Sequence, residues 1–131
     1  MTVRYTFPRS HRLGGRNTFK AVRDRGVRES RGPLTLWAVR NDLGHHRLGI
    51  SIGRHVGTAV KRNRIKRLLR ESFRLMQHDI PGGYDIVIAV RRHEPMILAE
   101  YQKLLMAMLL KAHARLSRET SDASPHTGHR P

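Results

Sequence analysis

The stretch Tyr84 to Val90 (YDIVIAV) does most to limit what this chain can fold into. It follows a Pro81-Gly82-Gly83 break and is apolar at nearly every position. A strand with so little alternation is apolar on both faces and has to be covered on both. The rest of the chain must supply that cover.

The flanking segments read as short alternating elements. Asn17 can cap a helix from about Thr18 to Arg25, with Phe19 and Val22 on one face and Gly26 as its stop. Val27 to Arg31 reads as a short strand before Gly32-Pro33. In Leu34 to Arg40 (LTLWAVR), Leu34, Leu36 and Ala38 point one way and Thr35, Trp37 and Val39 the other. His46 to Arg54 alternates too: Leu48, Ile50 and Ile52 share one face, Arg47, Gly49, Ser51 and Gly53 the other. A face of Gly and Ser makes a poor core and leaves room for a group to approach the backbone. Thr58 to about Met76 predicts a long helix, with Ile65, Leu68, Leu69, Phe73 and Met76 on the 3.6-residue repeat. Pro95 suits the first turn of a last helix whose stripe is Ile97, Tyr101, Leu104, Leu105, Met108, Ala112 and Leu116. The order αβββαβα predicts a single-domain α+β sandwich, an about four-stranded sheet packed by three helices. Residues 1–15 are basic and rich in breakers and read as an extended arm. Residues 16–116 form the domain, and the polar 117–131 segment reads as a disordered tail.

Charge narrows the function. Lys and Arg number 26 against 10 acids, a formal charge of +16 over 131 residues. Self-repulsion opposes compaction at such a charge, whereas a phosphate polymer gains from it by releasing counterions. With no Cys there can be no disulfide, thiolate metal site or Cys nucleophile, which fits a reducing, cytoplasmic setting. The longest apolar run, Leu104 to Leu110, is far short of the roughly 20 residues a membrane span needs. The histidines are scattered and read as surface or RNA-contacting groups rather than ligands. The acids show no spacing that suggests a carboxylate dyad or a two-metal site. No protein-borne active site is legible.

The basic segment is Gly57 to Leu69, where Lys61, Arg62, Arg64, Lys66 and Arg67 surround Asn63. On a helix, Arg62, Lys66 and Arg70 form an i, i+4, i+8 ridge with Arg67 and Arg74 beside it. Solvated helix faces usually mix Glu with Lys. This one carries only Glu71, which favours a bound polyanion. Asn63 can donate and accept at once, toward a loop, a sugar or a base edge. Trp37 is either an exposed ring able to stack on an unpaired base or an edge of the core.

Several motifs together resemble one family. They are Arg12-Leu13; Phe19-x-x-Val22 closing at Gly26; Arg47-Leu48-Gly49-Ile50-Ser51-Ile52; Gly57-x-Ala59-Val60-x-Arg62-Asn63-Arg64-x-Lys66-Arg67-x-x-Arg70-Glu71-x-Phe73; and Tyr84-Asp85-Ile86-Val87. From about Arg9 to Leu116 the chain resembles the bacterial ribonuclease P protein component. The resemblance implies a protein subunit that assists a catalytic RNA in removing the 5′ leader of precursor tRNA, with higher affinity for substrate and metal ions. It implies magnesium held mainly by the RNA and a left-handed βαβ crossover through the Arg62-Asn63-Arg64 helix; the residues themselves point to no membrane, and no obligatory protein partner is evident in them. The expected RNA-docking residues are Arg54, Lys61, Arg62, Asn63, Arg64, Lys66, Arg67 and Arg70. The expected leader cleft holds Phe19, Arg23, Thr35, Trp37 and Ser51. Arg23 stands where the family commonly has a second aromatic, and Gly53-Arg54-His55 replaces a usual Ser-Lys-Lys. The rival reading is a ribosome-associated or RNA-assembly protein without processing activity.

Overall fold

A computed structural model describes residues 9–122. The elements are α1 (Arg16–Arg25), β1 (Val27–Arg31), β2 (Leu34–Arg40), β3 (Arg47–Ile52), α2 (Ala59–Met76), β4 (Tyr84–Val90) and α3 (Leu98–Asp122). The sheet has four strands in the order β1-β2-β4-β3, with β4 antiparallel to β2 and parallel to β3. The apolar run therefore lies inside the sheet and is covered on both faces.

Register sets which side chains share a face. Leu34, Leu36 and Ala38 align with Val90, Ile88 and Ile86, and these with Ile52, Ile50 and Leu48. That face meets Ile65, Leu69, Phe73 and Met76 of α2 and Tyr101, Leu105, Met108 and Leu109 of α3 in the main core. Full burial of one such aliphatic or aromatic side chain contributes roughly 1.5–3 kcal/mol. The other face carries Thr35, Trp37 and Val39 against Ala89, Val87 and Asp85, and then Ser51, Gly49 and Arg47. There Leu13, Val22 and Val87 form a second, smaller core flanked by Phe19, Trp37 and Val39.

Local chemistry moves several boundaries. Gly15, not Asn17, stands at the N-terminus of α1, and its carbonyl accepts from the Phe19 N–H (3.1 Å). Gly26 is extended rather than left-handed. A Cβ there would meet the backbone of Val22 at 2.7 Å and of Ala38 at 2.9 Å, so close approach of chains requires this glycine. Thr58 caps α2, its hydroxyl accepting from the Lys61 N–H (3.2 Å). Val60, in the first turn of α2, is 80% exposed, and Ile97, expected on the stripe of the last helix, precedes α3 and is 69% exposed. Leu68 is half-buried against the core. The third strand stops at Ile52, and the chain turns through a 3₁₀ segment, Arg54–Val56, that buries Val56.

The expected arm is anchored where it is described. Arg9–His11 form a 3₁₀ turn, Arg12 bridges to Leu48, and the Leu13 N–H donates to the Leu48 carbonyl (2.9 Å). At the other end α3 continues to Asp122, past the boundary expected at 117. The remainder of the expected arm and tail lies outside the described residues.

Gly49 explains how the second face closes. A Cβ on Gly49 would lie 2.5 Å from Cε1 of Phe19 and 3.1 Å from Cβ of Leu13. The room left by the Gly/Ser strand face is thus filled at this point by the chain's own Phe19 ring, not by an incoming group. Gly49→Ala should cost about 1–3 kcal/mol by overpacking. Denaturant titration should show a lower midpoint at an unchanged m-value; an unchanged midpoint would mean that the ring has slack.

Candidate RNA interface

The apolar stripe of α2 fixes where its charges go. With Ile65, Leu69 and Phe73 against the sheet, Asn63, Lys66, Arg67, Arg70, Glu71 and Arg74 share one outward flank, spaced at i, i+3, i+4, i+7, i+8 and i+11. They line an open groove of about 550 Å³, and Arg12 completes it from the N-terminal segment. Arg12 reaches it because Leu13 is buried and bonded to β3. Five cations from two chain segments converge there. Glu71 is the sole acid lining the groove, and it pairs with Arg74 (Nη2 to Oε2, 2.5 Å; Nε to Oε1, 3.0 Å). Burial and the charge of Arg12 push the Arg70 guanidinium below its ordinary pKa. It nevertheless stays charged at neutral pH.

The expected docking residues divide. Asn63, Lys66, Arg67 and Arg70 line the groove, while Arg54, Lys61, Arg62 and Arg64 do not. Lys61 reaches the Glu94 carboxylate (3.0 Å), and the Arg62 Nε–H donates to the Gly57 carbonyl (3.2 Å), bracing the entry to α2. Arg64 and Arg54 are exposed elsewhere on the surface. Arg12 was absent from the sequence-based docking set. Only its neighbour Leu13, a lone bulky apolar residue among Arg and Gly, signalled that this segment is tied down.

The second expected site lies on the α1 side of the sheet. Phe19 packs over Gly49, and the Arg23 guanidinium sits 6.0 Å from the centroid of Trp37, within cation–π range. Trp37 is half-buried, so it takes part in both its alternatives: one part packs in the small core and the rest is open. Thr35 is buried, 4% exposed, and its hydroxyl lies 3.1 Å from Ser30 Oγ. Arg91, which the sequence reading did not select, donates from Nη1 to Thr35 Oγ1 (2.7 Å) and from Nη2 to Ser30 Oγ (3.2 Å) and the Gly32 carbonyl. Ser51 is half-exposed in the same cross-strand row. At the far end of this face Arg47 holds Asp85 in a two-pronged pair (2.8 and 2.7 Å), and Asn41 adds a bond of 2.9 Å.

The model of the family described as Ribonuclease P matches residues 7–114. The chain belongs to the ribonuclease P protein family. It is similar to the ribonuclease P protein component of Methylococcus capsulatus, with 48% identity over 88 residues, 66% of this chain and 68% of that one. A solved Staphylococcus aureus RNase P protein, a mutant with defective mRNA degradation activity, superposes with a TM-score of 0.70 at 28% identity, covering 79% of this chain and 88% of that one. The RNase P protein from Thermotoga maritima gives 0.68 at 30% identity, covering 75% and 94%. The protein is a ribonuclease P subunit that takes part in tRNA 5′ processing as part of that endoribonuclease, and the ribosome-associated alternative is not favoured.

One histidine of this ribonuclease P protein departs from the surface role expected. His46 is 5% exposed beneath Phe73 and Tyr84. The Tyr84 N–H donates to its Nδ1 (3.1 Å), so Nε2 carries the proton and donates to the Ile80 carbonyl (2.9 Å). Burial first, and then the neighbouring His45, His113 and His78, push its pKa below the ordinary 6.5, opposed by the Ile80 bond. The sign follows by linkage. The unfolded chain takes up this proton more readily, so the stabilisation is complete above about pH 6.5 and lost as pH falls below it. The melting temperature should drop between pH 7.5 and 5, and His46→Gln should flatten that part of the profile. An unaltered profile in the variant would assign the acid sensitivity to other groups.

Proposed function

We propose that the α2 groove docks the RNA subunit of ribonuclease P and that the α1 face of the sheet receives the single-stranded 5′ leader of precursor tRNA. The observation carrying the first assignment is the convergence of Arg12, Lys66, Arg67, Arg70 and Arg74 with only Glu71 among them. Carrying the second is a face that combines a half-open indole, a cation over it and a row of hydroxyls. A base can stack on the open part of Trp37, while Arg23 and Arg91 supply charge for the backbone. Phe19 supports that surface from below by packing on Gly49.

Chemistry is assigned to the RNA partner. Six acids are engaged in ion pairs: Asp24 with Lys20, Glu29 with Arg115, Glu71 with Arg74, Asp85 with Arg47, Glu94 with Lys61 and Glu100 with Lys103. Among the described residues no three His, Asp or Glu side chains group as a metal site. In this reading the magnesium ion of the holoenzyme belongs mainly with the RNA phosphates. The protein's part is to hold RNA backbone, orient the leader and raise affinity for substrate and metal ions. No helix among the described residues is long and apolar enough to cross a membrane, and the proposed work on precursor tRNA fits a cytoplasmic setting.

Reconstitution decides the main point. The protein with its RNA subunit and magnesium should release the 5′ leader, and the protein by itself should cleave nothing; cleavage by the purified protein would overturn the assignment. Lys66→Ala with Arg67→Ala should flatten the log–log salt dependence of affinity for the RNA subunit by about 1–2, since each lost phosphate contact removes about 0.7–0.9. A parallel line shifted in affinity alone would remove both residues from the phosphate-contacting set. Trp37→Ala should weaken precursor tRNA by about 1–3 kcal/mol and spare mature tRNA. Equal losses for both, with a lower melting temperature, would make the ring purely a packing group.

A further inference from the structure

A second basic surface lies at the opposite edge of the sheet from the α2 groove. Between Glu100 and Glu119 the last helix has no acid, and it carries Lys103, Lys111, Arg115 and Arg118. Lys111, Arg115 and Arg118 are spaced i, i+4, i+7 and share one flank. With Ala114 and Glu29 they line a groove of about 350 Å³. The small Ala114 side chain leaves the space between the cations open. Beside the groove the edge strand β1 presents the exposed Arg28 and Arg31.

Arg115 is fixed in place. Its Nη1 donates to the Arg28 carbonyl (2.8 Å) and to Glu29 Oε2 (3.0 Å). The pair is lopsided: the Glu29 side chain is 16% exposed and that of Arg115 is 41% exposed. Glu29 thus orients the guanidinium from beneath while solvent meets the cation. The same bond occupies an edge carbonyl of β1, which disfavours an added peptide strand there. A held cation flanked by the exposed Lys111 and Arg118 complements a run of phosphates.

We infer that the α3–β1 edge is a second docking surface for phosphate backbone, and that it takes a second segment of the same RNA subunit. From the reading above this uses only that the partner is that RNA. One observation favours the RNA subunit over precursor tRNA. The last helix lies in one layer with α2, on the sheet face away from Trp37 and Arg23. The edge strands β1 and β3 are three strand spacings apart, about 14 Å. That exceeds the screening length of about 8 Å at physiological salt, so the two surfaces act as separate phosphate sites. One protein would then clamp two stretches of a large RNA.

The test uses the full-length protein with the transcribed RNA subunit and with precursor tRNA as separate probes. Lys111→Ala with Arg118→Ala leaves the Arg115–Glu29 pair intact, and an unchanged melting temperature verifies folding. Affinity for the RNA subunit should show a log–log salt slope shallower by about 1–2. Lys111→Arg with Arg118→Lys should restore it. Combined with Lys66→Ala and Arg67→Ala, the effects should add, as expected for sites this far apart. An unchanged slope for the RNA subunit, or a change seen only with precursor tRNA, overturns the inference. Flattening by the α3 pair but not by the α2 pair would sustain it and count against the α2 docking assignment instead.

Discussion

The fold depends on burying Tyr84 to Val90 on both sides. Ile86 and Ile88 face α2 and α3, while Val87 faces the small core under α1, and all three are fully buried. An apolar strand cannot end a sheet comfortably, so β2 and β3 flank it and two helices cover one face. Among the described residues the other face receives only the short α1 and the Arg12-Leu13 segment, which leave it partly open. The same constraint explains the exception inside the run. Asp85 is 8% exposed and tolerable there only because Arg47 and Asn41 satisfy both of its oxygens. Losing Arg47 would leave a nearly buried charge unpaired.

Function follows from that unequal cover. The face closed by two helices commits one side of α2 to the core, so its remaining charges gather along a groove. The face closed by one short helix leaves a half-open indole, hydroxyls and cations in reach of an unpaired strand. A single asymmetry in layering yields two surfaces of different chemistry, the ones proposed for duplex-like backbone and for bases.

The periodic features were legible in the sequence, and contacts between distant segments were not. Alternation in LTLWAVR and RLGISI gave β2 and β3 with the correct faces, because burial acts on every second residue. The helical repeat gave α2, and Val60, outside that repeat in the first turn, is exposed. Gly49 read as an empty place because nothing local shows that Phe19, thirty residues earlier, folds onto it. His46 read as a surface or RNA-contacting group because its burial depends on partners at Ile80 and Tyr84. At the site, composition marked the basic segment, yet assigning charges to flanks needed the helix phase. Lys66, Arg67 and Arg70 fell on the groove, and Lys61 and Arg62 on the bracing side. Arg12 joins across the sheet edge, a relation no spacing encodes.

The groove also shows how a chain of +16 can fold at all. Like charges at i, i+4, such as Lys66 with Arg70 and Arg70 with Arg74, repel by a few tenths of a kcal/mol per pair. The stripe beneath them, Ile65, Leu69 and Phe73, contributes about 1.5–3 kcal/mol per side chain. Packing outweighs local repulsion several-fold, so the cations can be held in register before RNA arrives. Salt then acts in opposite senses on the two states. In the free protein it screens the repulsion among Arg12, Arg70 and their neighbours and favours the fold. In the complex it restores competition for the phosphates and weakens binding. Where the guanidinium of one segment pushes against that of another, as Arg12 does against Arg70, a phosphate between them relieves both. In the proposed complex, part of the repulsion in the free groove would give way to attraction for the phosphate.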